Sequence, residues 1–329
     1  MYPTFVSWQQ DTHNKFPWCC QKGHSDVKLL VLEANKVVGT KLIRAKLVGA
    51  KLVGAIVVLS PLGRSTTSTP TTTEEQKETA VFVAATSRCF PDLPLDAAMM
   101  QLADLEYTSV EIMIHESGGH LRPSAVLEDL ERAVMLCRQT HRLTPVAFSI
   151  DIEAPDNLYY RQFAACCKLA KAVKIVTLTV RSAELGTPFN AEVERLRELV
   201  SISSQDGIRV GLLTETGRMT QDPDTAIVLC DNVKGLGITL DPSYYVNGPL
   251  AGVNYEQVMK YVYHLRLRDT NKSQLQVRVG QGEVEYGRLV NQLHMVRYDR
   301  ALCVDIFPIP DEDHLAEMRK MRLLLESLL

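Results

Sequence analysis

Three predicted strands of this chain each have an acidic residue at or just beyond their C-terminal end. The three residues are Glu215, Asp241 and Asp305. If the strands are parallel and close on one another, their carboxylates converge, and three unpaired acids taken out of water would repel each other strongly. A positive group must therefore lie among them, and it is either a divalent metal ion or a fixed guanidinium.

A fourth predicted strand carries basic side chains at alternating positions. His264, Arg266 and Arg268 fall on one face of this strand because side chains alternate between the two faces. A loop containing Gly280-Gln281-Gly282 follows, where the backbone can approach a ligand closely, and a helix begins near Tyr286. This order of strand, loop and helix is typical of the rim of an active site in an α/β barrel.

From Val81 onward, short apolar runs alternate with amphipathic segments. They predict eight strands: Val81–Ala85, Ser109–Ile114, Pro145–Ile150, Ile175–Val180, Arg209–Thr214, Gly237–Leu240, Tyr263–Leu267 and Ala301–Ile306. They also predict eight helices: Leu95–Leu105, Ser124–Thr140, Leu158–Lys171, Ala191–Ser201, Asp224–Cys230, Tyr255–Tyr261, Tyr286–Val296 and Asp313–Leu328. Eight such units match the usual size of a (β/α)8 TIM barrel, about 250 residues. A doubly wound open sheet is the runner-up, but no glycine fingerprint follows the first strand.

The composition is that of a soluble globular protein. The chain has 329 residues, of which 46% are hydrophobic and 23% charged, and its formal net charge is −3. This balance predicts neither a nucleic-acid partner nor a membrane partner. The 8 cysteines include no CxxC pair, and several fall in apolar helical patterns, so we expect buried thiols in a cytoplasmic protein. A homo-oligomer is compatible with the sequence.

Residues 1–80 differ from the rest of the chain. They lack helical or strand periodicity, repeat AKLVG in tandem and include a Ser/Thr/Pro-rich stretch at Thr66–Thr73. We interpret them as an irregular, disordered extension with a linker, followed by the barrel domain at 81–329. A cleaved or anchoring segment and a folded element are the alternatives.

The strand-end residues resemble the motifs of the sugar phosphate isomerase/epimerase superfamily, the xylose-isomerase-like TIM barrels. Glu215 and Asp241 stand where that family has metal-binding acids after strands five and six, and Asp305 stands in place of a Glu after strand eight. Gly280-Gln281-Gly282 matches the family's Gly-x-Gly loop. The resemblance implies a sugar or sugar phosphate as ligand and a divalent ion (Mn²⁺, Mg²⁺ or Co²⁺, with Zn²⁺ as a further option).

The resemblance also implies roles for individual residues. A metal ion on Glu215, Asp241, Asp305 and His264 would stabilise an enediolate, and Glu215 and Asp305 would move the proton. Further contacts to the substrate would come from Glu111, Tyr244, Arg266 and either Arg218 or Arg278. For Glu111 an ion pair with a strand-end arginine, and for Tyr244 simple packing at the barrel mouth, remain open.

The chain departs from the family at the metal-binding histidine. The family's His-Leu-Lys-Asp pattern aligns with Arg266-Leu267-Arg268-Asp269, and a guanidinium cannot ligate a metal because it stays protonated. Two hypotheses follow. The protein is either an isomerase or epimerase whose metal site is rebuilt around His264, or a non-catalytic sugar-binding or regulatory barrel. The second hypothesis predicts that Arg266 lies within salt-bridge distance of at least two of Glu215, Asp241 and Asp305.

Two further predictions concern histidines. His115 and His120 flank a glycine-containing loop after the second strand, where histidines are more often solvated than ligands. The related DNA-repair endonucleases use several zinc ions and many strand-end histidines, and this chain has only 8 histidines. We therefore set that third function aside.

Overall fold

Eight parallel strands close into a barrel in which each strand pairs with the next in sequence. The eighth strand pairs with the first. We number these strands β1 Phe82–Thr86, β2 Ser109–His115, β3 Thr144–Asp151, β4 Thr177–Arg181, β5 Arg209–Leu213, β6 Leu236–Leu240, β7 Val262–Leu267 and β8 Ala301–Val304. The prediction of a (β/α)8 barrel is confirmed.

The structure is a computed structural model that describes residues 81–329 and, before them, four strands. These are Phe16–Cys19, Leu29–Val37, Thr40–Leu47 and Ala55–Ile56, which pair antiparallel in sequence order. The chain divides into two units, Met1–Glu75 and Gln76–Leu329, and the barrel belongs to the second. Most of the extension predicted at 1–80 lies outside the described residues, and its disorder stays a prediction.

The helices are α1 Leu95–Asp104, α2 Pro123–Glu128, α3 Leu130–Arg138, α4 Asp156–Ala172, α5 Phe189–Gln205, α6 Pro223–Asn232, α7 Ser243–Val246, α8 Tyr286–Met295 and α9 His314–Glu326. Short 3₁₀ turns cover Ser87–Cys89, Met219–Gln221 and Glu256–Tyr261. Within the part of the chain that the structure describes, no helix combines the length and the apolar character needed to cross a bilayer.

Two helix predictions were wrong in detail. The single helix predicted at Ser124–Thr140 is interrupted at Asp129, whose φ of −141° and ψ of 84° are not helical and whose side chain accepts a hydrogen bond from the amide of Arg132. Asp129 therefore caps a second helix instead of continuing the first. The segment predicted as a helix at Tyr255–Tyr261 is a 3₁₀ turn.

The strands are continuous apolar runs because both of their faces are covered, as is usual for parallel strands. All five residues of β6 are buried, for example. Ile238 and Leu240 belong to the main hydrophobic core, which also includes helix residues such as Phe163 and Leu196. Ala84, Ala301 and Cys303 form a separate small cluster, which places them inside the barrel.

Small residues inside the barrel leave room for one large charged side chain. Arg266 heads the fully buried side chains by volume, with 1% of its surface exposed. Two of the small residues are Gly211 and Thr239, and a Cβ at Gly211 would lie only 2.6 Å from Oγ1 of Thr239. The barrel interior is thus filled by a guanidinium and its partners in addition to apolar groups.

Candidate functional site

A single arginine joins two of the strand-end acids. Nη2 of Arg268 donates to Oδ2 of Asp241 at 2.6 Å and to Oδ2 of Asp305 at 3.0 Å. All three side chains are buried, and both carboxylates are fully so. The guanidinium of Arg268 therefore supplies positive charge between two of the acids for which the sequence required a cation.

Asp305 has further donors on the first strand and the turn that follows it. Nε of Arg88 donates to Oδ1 at 3.0 Å, Nη2 of Arg88 pairs with Oδ2, and Oγ1 of Thr86 donates to Oδ1 at 3.1 Å. Burial alone would raise the pKa of Asp305, but the guanidinium groups of Arg88 and Arg268 hold that pKa well below its usual range. Asp305 is thus a fixed anion.

Asp241 is held from its other side by the residue two positions later. Oδ1 accepts from the amide of Ser243 at 3.0 Å and also from its hydroxyl. The ring of Tyr244 lies 5.8 Å from the guanidinium carbon of Arg268, within the range of a cation–π contact. Burial, followed by the charge of Asp241, raises the pKa of Tyr244 to about 12. Tyr244 therefore remains a neutral phenol at the barrel mouth.

Arg266 pairs with the second strand. Its Nη2 and Nε donate to Oε1 and Oε2 of Glu111 at 2.7 and 3.1 Å, so the pair is bidentate and fully buried. Burial favours the neutral carboxylic acid, yet Arg266 and then His264 lower the pKa of Glu111 to about 2. The salt bridge predicted from Arg266 to Glu215, Asp241 or Asp305 is thus corrected to one with Glu111.

The depth of each arginine along β7 explains this correction. Arg266 stands opposite Cys303 in the register of β7 and β8, so Arg268 is level with Asp305, two residues further on. Glu111 is the third residue of the seven-residue strand β2 and lies below the strand end. Arg268 therefore meets Asp305 at its own level, whereas Arg266 reaches Glu111 deeper in the barrel.

Glu215 is held by a third arginine at the same end of the barrel. Nε and Nη2 of Arg181 each donate to a carboxylate oxygen of Glu215 at 2.8 Å, and Nη1 donates to Asp151 at 3.3 Å. These side chains are partly exposed, at 35% for Arg181 and 18% for Glu215. The three groups form the solvent-facing part of the network.

A cavity of about 210 Å³ opens at this end of the barrel. His115 lines it, and Nε2 of His115 lies 3.0 Å from Oγ of Ser149. Burial, assisted by the positive charges of Arg266 and Arg88, lowers the pKa of His115 to about 3. His115, predicted to be solvated, is instead a half-buried, neutral imidazole in the cavity. The other polar residues that line the cavity are Arg88, Ser149, Asp151, Thr179, Arg181, Glu215 and Arg266.

The backbone amides of the glycine loop after β7 bind the side chain of Asp269. The carboxylate of Asp269 accepts from the amides of Gly280 at 2.7 Å and Gly282 at 3.0 Å, and also from the amide of Thr270 at 3.2 Å. These amides were predicted to approach a ligand, but Asp269 uses them to fix the loop.

Three other predicted residues lie elsewhere. Nη1 of Arg218 donates to the carbonyl of Ser182 at 3.0 Å, and Arg278 forms an exposed pair with Glu312 at 3.2 Å. His264 lies four residues before Arg268 on β7, which is about 13 Å along the strand. Its Nε2 lies 3.4 Å from Oε2 of Glu111, below the strand-end acids.

His264 instead belongs to a group of three candidate ligands inside the barrel. Glu111, His264 and Cys303 each offer a ligand atom, and these atoms lie within 4.8 Å of one another. All three residues are buried. A metal ion held by this group would lie below the strand-end acids.

Arg88, Arg181 and Arg268 were not among the predicted site residues. Arg181 ends β4 and Arg88 follows β1, so a systematic survey of cations at strand ends would have identified both. Arg268 shares a strand face with Arg266, and only its level relative to Asp305 distinguishes the two. The paired charged side chains that line the cavity can bind a small polar ligand.

The chain matches the family model described as xylose isomerase-like TIM barrel over residues 100–324. A xylose isomerase domain protein from Alicyclobacillus acidocaldarius has a TM-score of 0.61 at 12% identity, covering 76% of this chain and 98% of that one. A 3-keto-D-glucoside 4-epimerase from E. coli has a TM-score of 0.59 at 12% identity, with coverages of 75% and 99%.

A third structure is a xylose isomerase-like TIM barrel protein from Mycobacterium smegmatis in complex with magnesium. It has a TM-score of 0.60 at 14% identity and covers 77% of this chain and 99% of that one. No curated protein matches the sequence. At these identities the structural likeness shows the fold, while the family model covers more than half of the chain. The protein therefore belongs to the xylose isomerase-like TIM barrel family.

Proposed function

We propose that this protein binds a neutral sugar in the cavity at the C-terminal end of the barrel, with guanidinium groups where a divalent ion would otherwise lie. The observation that carries the proposal is the position of Arg268, whose Nη2 is 2.6 Å from Asp241 and 3.0 Å from Asp305. A guanidinium cation thus already lies between these two acids.

The residues at the mouth do not fit a divalent ion. Binding one between Asp241 and Asp305 would displace the guanidinium of Arg268 from both carboxylates and leave it buried without an anion. Breaking a buried ion pair in this way costs about 3–5 kcal/mol. Arg266 occupies the position that the family resemblance gives to a histidine ligand, and a guanidinium has no lone pair to offer.

The charges of the network favour a neutral ligand over a sugar phosphate. Three guanidinium groups line the cavity, and each is already paired with a carboxylate: Arg88 with Asp305, Arg181 with Glu215 and Asp151, and Arg266 with Glu111. His115 adds no positive charge because its pKa is about 3. A phosphate dianion would therefore find no unpaired arginine among the lining residues, whereas sugar hydroxyls can donate to Glu215 and Asp151 and accept from Arg181.

The size of the cavity also points to a small ligand. Its volume of about 210 Å³ is below the ~300–1,000 Å³ typical of pockets for drug-sized molecules. A single sugar ring suits such a space better than an oligosaccharide does.

The enediolate mechanism of an isomerase or epimerase fits the network less well. That mechanism assigns proton transfer to Glu215 and Asp305, but Glu215 is paired with Arg181, and Asp305 is fully buried with its pKa held well below its usual range. A carboxylate with so low a pKa is a poor general base near neutral pH, because efficient bases have pKa values near the working pH. Sugar binding without turnover is the function we favour.

Calorimetric titration of the full-length protein with ketoses, aldoses and their phosphates, in EDTA, tests this proposal. We expect a neutral sugar to bind, and the Glu215→Gln variant to bind it at least about tenfold more weakly because it loses a charged acceptor. The Arg278→Met variant is the matched control, since Arg278 pairs with Glu312 outside the cavity. Binding or turnover of a ketose that requires added Mn²⁺ would overturn the proposal in favour of the metal-dependent isomerase.

A further inference from the structure

Three potential ligands lie inside the barrel, below the sugar site proposed above. Glu111 on β2, His264 on β7 and Cys303 on β8 are 0%, 2% and 0% exposed. Nε2 of His264 is 3.4 Å from Oε2 of Glu111, and Sγ of Cys303 is 3.7 Å from the same oxygen. One carboxylate oxygen, one imidazole nitrogen and one thiol sulfur thus surround a common point.

These separations match the edges of a tetrahedral zinc site. Zinc binds nitrogen and oxygen at about 2.0–2.2 Å and sulfur at about 2.3 Å, so neighbouring ligand atoms lie about 3.3–3.7 Å apart. The oxygen–nitrogen distance of 3.4 Å and the oxygen–sulfur distance of 3.7 Å, both measured from Oε2 of Glu111, fall in this range. The nitrogen of His264 and the sulfur of Cys303 lie within 4.8 Å of each other. Imidazole, thiolate and carboxylate are all ligands that zinc accepts.

The imidazole nitrogen that faces this group has an unused bonding position. Although Nε2 of His264 is within ion-pair distance of Glu111, the contact lacks hydrogen-bond geometry, and Nε2 has no hydrogen-bond partner among the described residues. A buried polar atom without a partner is costly and rare in folded proteins. A metal ion would give this nitrogen a ligand bond.

We propose that Glu111, His264 and Cys303 form a zinc site in the interior of the barrel, separate from the strand-end acids. The ion takes one ligand atom from each residue and leaves its fourth position to water. Binding converts the Cys303 thiol to a thiolate, so one proton leaves to solvent for each ion bound. The site connects β2, β7 and β8 across the barrel.

An entry path lies at the end of the barrel opposite the sugar site. His264 lines a cavity of about 340 Å³ there, together with Phe82, Thr177 and Ala301, which begin β1, β4 and β8. An ion can therefore reach His264 without passing Arg268.

Arg266 limits the affinity and does not block the site. It occupies one position on each oxygen of Glu111, and a carboxylate has about four lone-pair sites, so Oε2 can also bind an ion. The positive charge of Arg266 repels the ion, and burial raises the pKa of the Cys303 thiol. We therefore expect binding to strengthen as the pH rises.

Titration of the full-length protein with Co²⁺, a spectroscopic substitute for Zn²⁺, tests the site. We expect one equivalent to produce visible bands of a tetrahedral ion and a near-ultraviolet thiolate-to-cobalt charge-transfer band. The Cys303→Ser variant should lose the charge-transfer band. The His264→Gln variant should bind at least about 100-fold more weakly, since even loss of an outer partner costs ~10–100-fold.

The Cys89→Ser variant is the matched control, because Cys89 is another fully buried thiol but lies near Asp305 and not in this group. Circular dichroism establishes that each variant is folded. Calorimetry with Zn²⁺ in buffers of different ionisation enthalpy should show one proton released by the wild type and none by Cys303→Ser.

The outcomes distinguish failure of the interior site alone from failure of both proposals. A folded wild type that gives no thiolate-to-cobalt band overturns the interior site and leaves the sugar site untouched. A cobalt spectrum that persists in Cys303→Ser but disappears in Asp241→Asn places the ion at the mouth, and it overturns both the interior site and the proposed guanidinium-filled mouth.

Discussion

At the level of single residues, the contact between Glu111 and Arg266 is the most deeply buried ion pair of the network. Both side chains are at most 1% exposed, and the pair is bidentate. Such a pair is strongly destabilising when one partner is removed, because the other charge stays behind in the protein interior. Replacing both partners by apolar groups of similar volume avoids that cost.

We therefore expect Glu111→Gln to lower the free energy of unfolding by about 3–5 kcal/mol, whereas Glu111→Leu combined with Arg266→Met should recover most of the loss. Urea denaturation followed by circular dichroism measures both. The control is Glu194→Gln, which breaks an exposed pair with Arg197 and should change stability by less than about 1 kcal/mol. A double variant no more stable than Glu111→Gln would contradict this account of the pair.

The same carboxylates make the stability depend on pH. The pKa of Glu111 falls from its ordinary value of 4.5 to about 2 in the folded protein, and that of Asp305 also falls. Because these pKa values are lower in the folded state than in the unfolded state, their contribution is fully present above about pH 4.5. It is lost as the pH falls towards about 2.

Urea denaturation between about pH 6 and about pH 3 should accordingly show a free energy of unfolding that decreases steadily below about pH 4.5. In the Glu111→Leu/Arg266→Met variant this decrease should be smaller, since one of the two carboxylates is gone. An acid dependence that is equally steep in the variant and the wild type would show that the Glu111 pair does not contribute.

The choice of partners could be predicted from the sequence only in part. The requirement for a cation among the strand-end acids followed from the repulsion of Asp241 and Asp305, and Arg268 meets it. Which arginine does so could not be predicted, because Arg266 and Arg268 share a face and differ only in depth. Depth depends on the register of β7 against β8, which no local pattern encodes.

At the level of elements, the conformation of the loop after β7 requires Gly282 to pack directly against Asp269 and Thr270. A Cβ added at Gly282 would lie 1.9 Å from Oδ1 of Asp269 and 2.6 Å from the amide nitrogen of Thr270. The side chain of Asp269 is in turn held by the amides of Gly280 and Gly282. Moving Asp269 or Thr270 away to make room for a Cβ would break hydrogen bonds to the Asp269 carboxylate.

We expect Gly282→Ala to destabilise the protein by about 2–4 kcal/mol, the cost of strain plus the loss of hydrogen bonds to a charged acceptor. Thermal denaturation compares it with Gly287→Ala, the matched control. Gly287 lies in helix α8, nothing lies within 4 Å of its added Cβ, and alanine favours the helix. Equal stability of the two variants would show that the loop has more freedom than the close contacts imply.

The positions of the strands were predictable because each is a short apolar run bounded by polar or turn-forming residues. All eight predicted strands overlap the observed ones, from β1 at Phe82–Thr86 to β8 at Ala301–Val304. The interruption at Asp129 was missed because the apolar face continues through it on both sides. Only the non-helical backbone at Asp129 and the hydrogen bond that its side chain accepts from the amide of Arg132 distinguish a cap from a helix interior.

At the level of the whole molecule, the barrel has the architecture of its family and carries paired charges at its mouth. Arg268 lies between Asp241 and Asp305, two of the three acids that the family resemblance assigns to a metal ion. In this barrel, the cation between these acids is the side chain of an arginine.

Anomalous diffraction from crystals soaked in Mn²⁺ tests this claim most directly, because it locates a bound ion independently of any activity. We predict no anomalous peak between Asp241 and Asp305, and electron density for the Arg268 guanidinium bonded to both carboxylates. An anomalous peak between Asp241 and Asp305, with Arg268 turned away, would contradict the account.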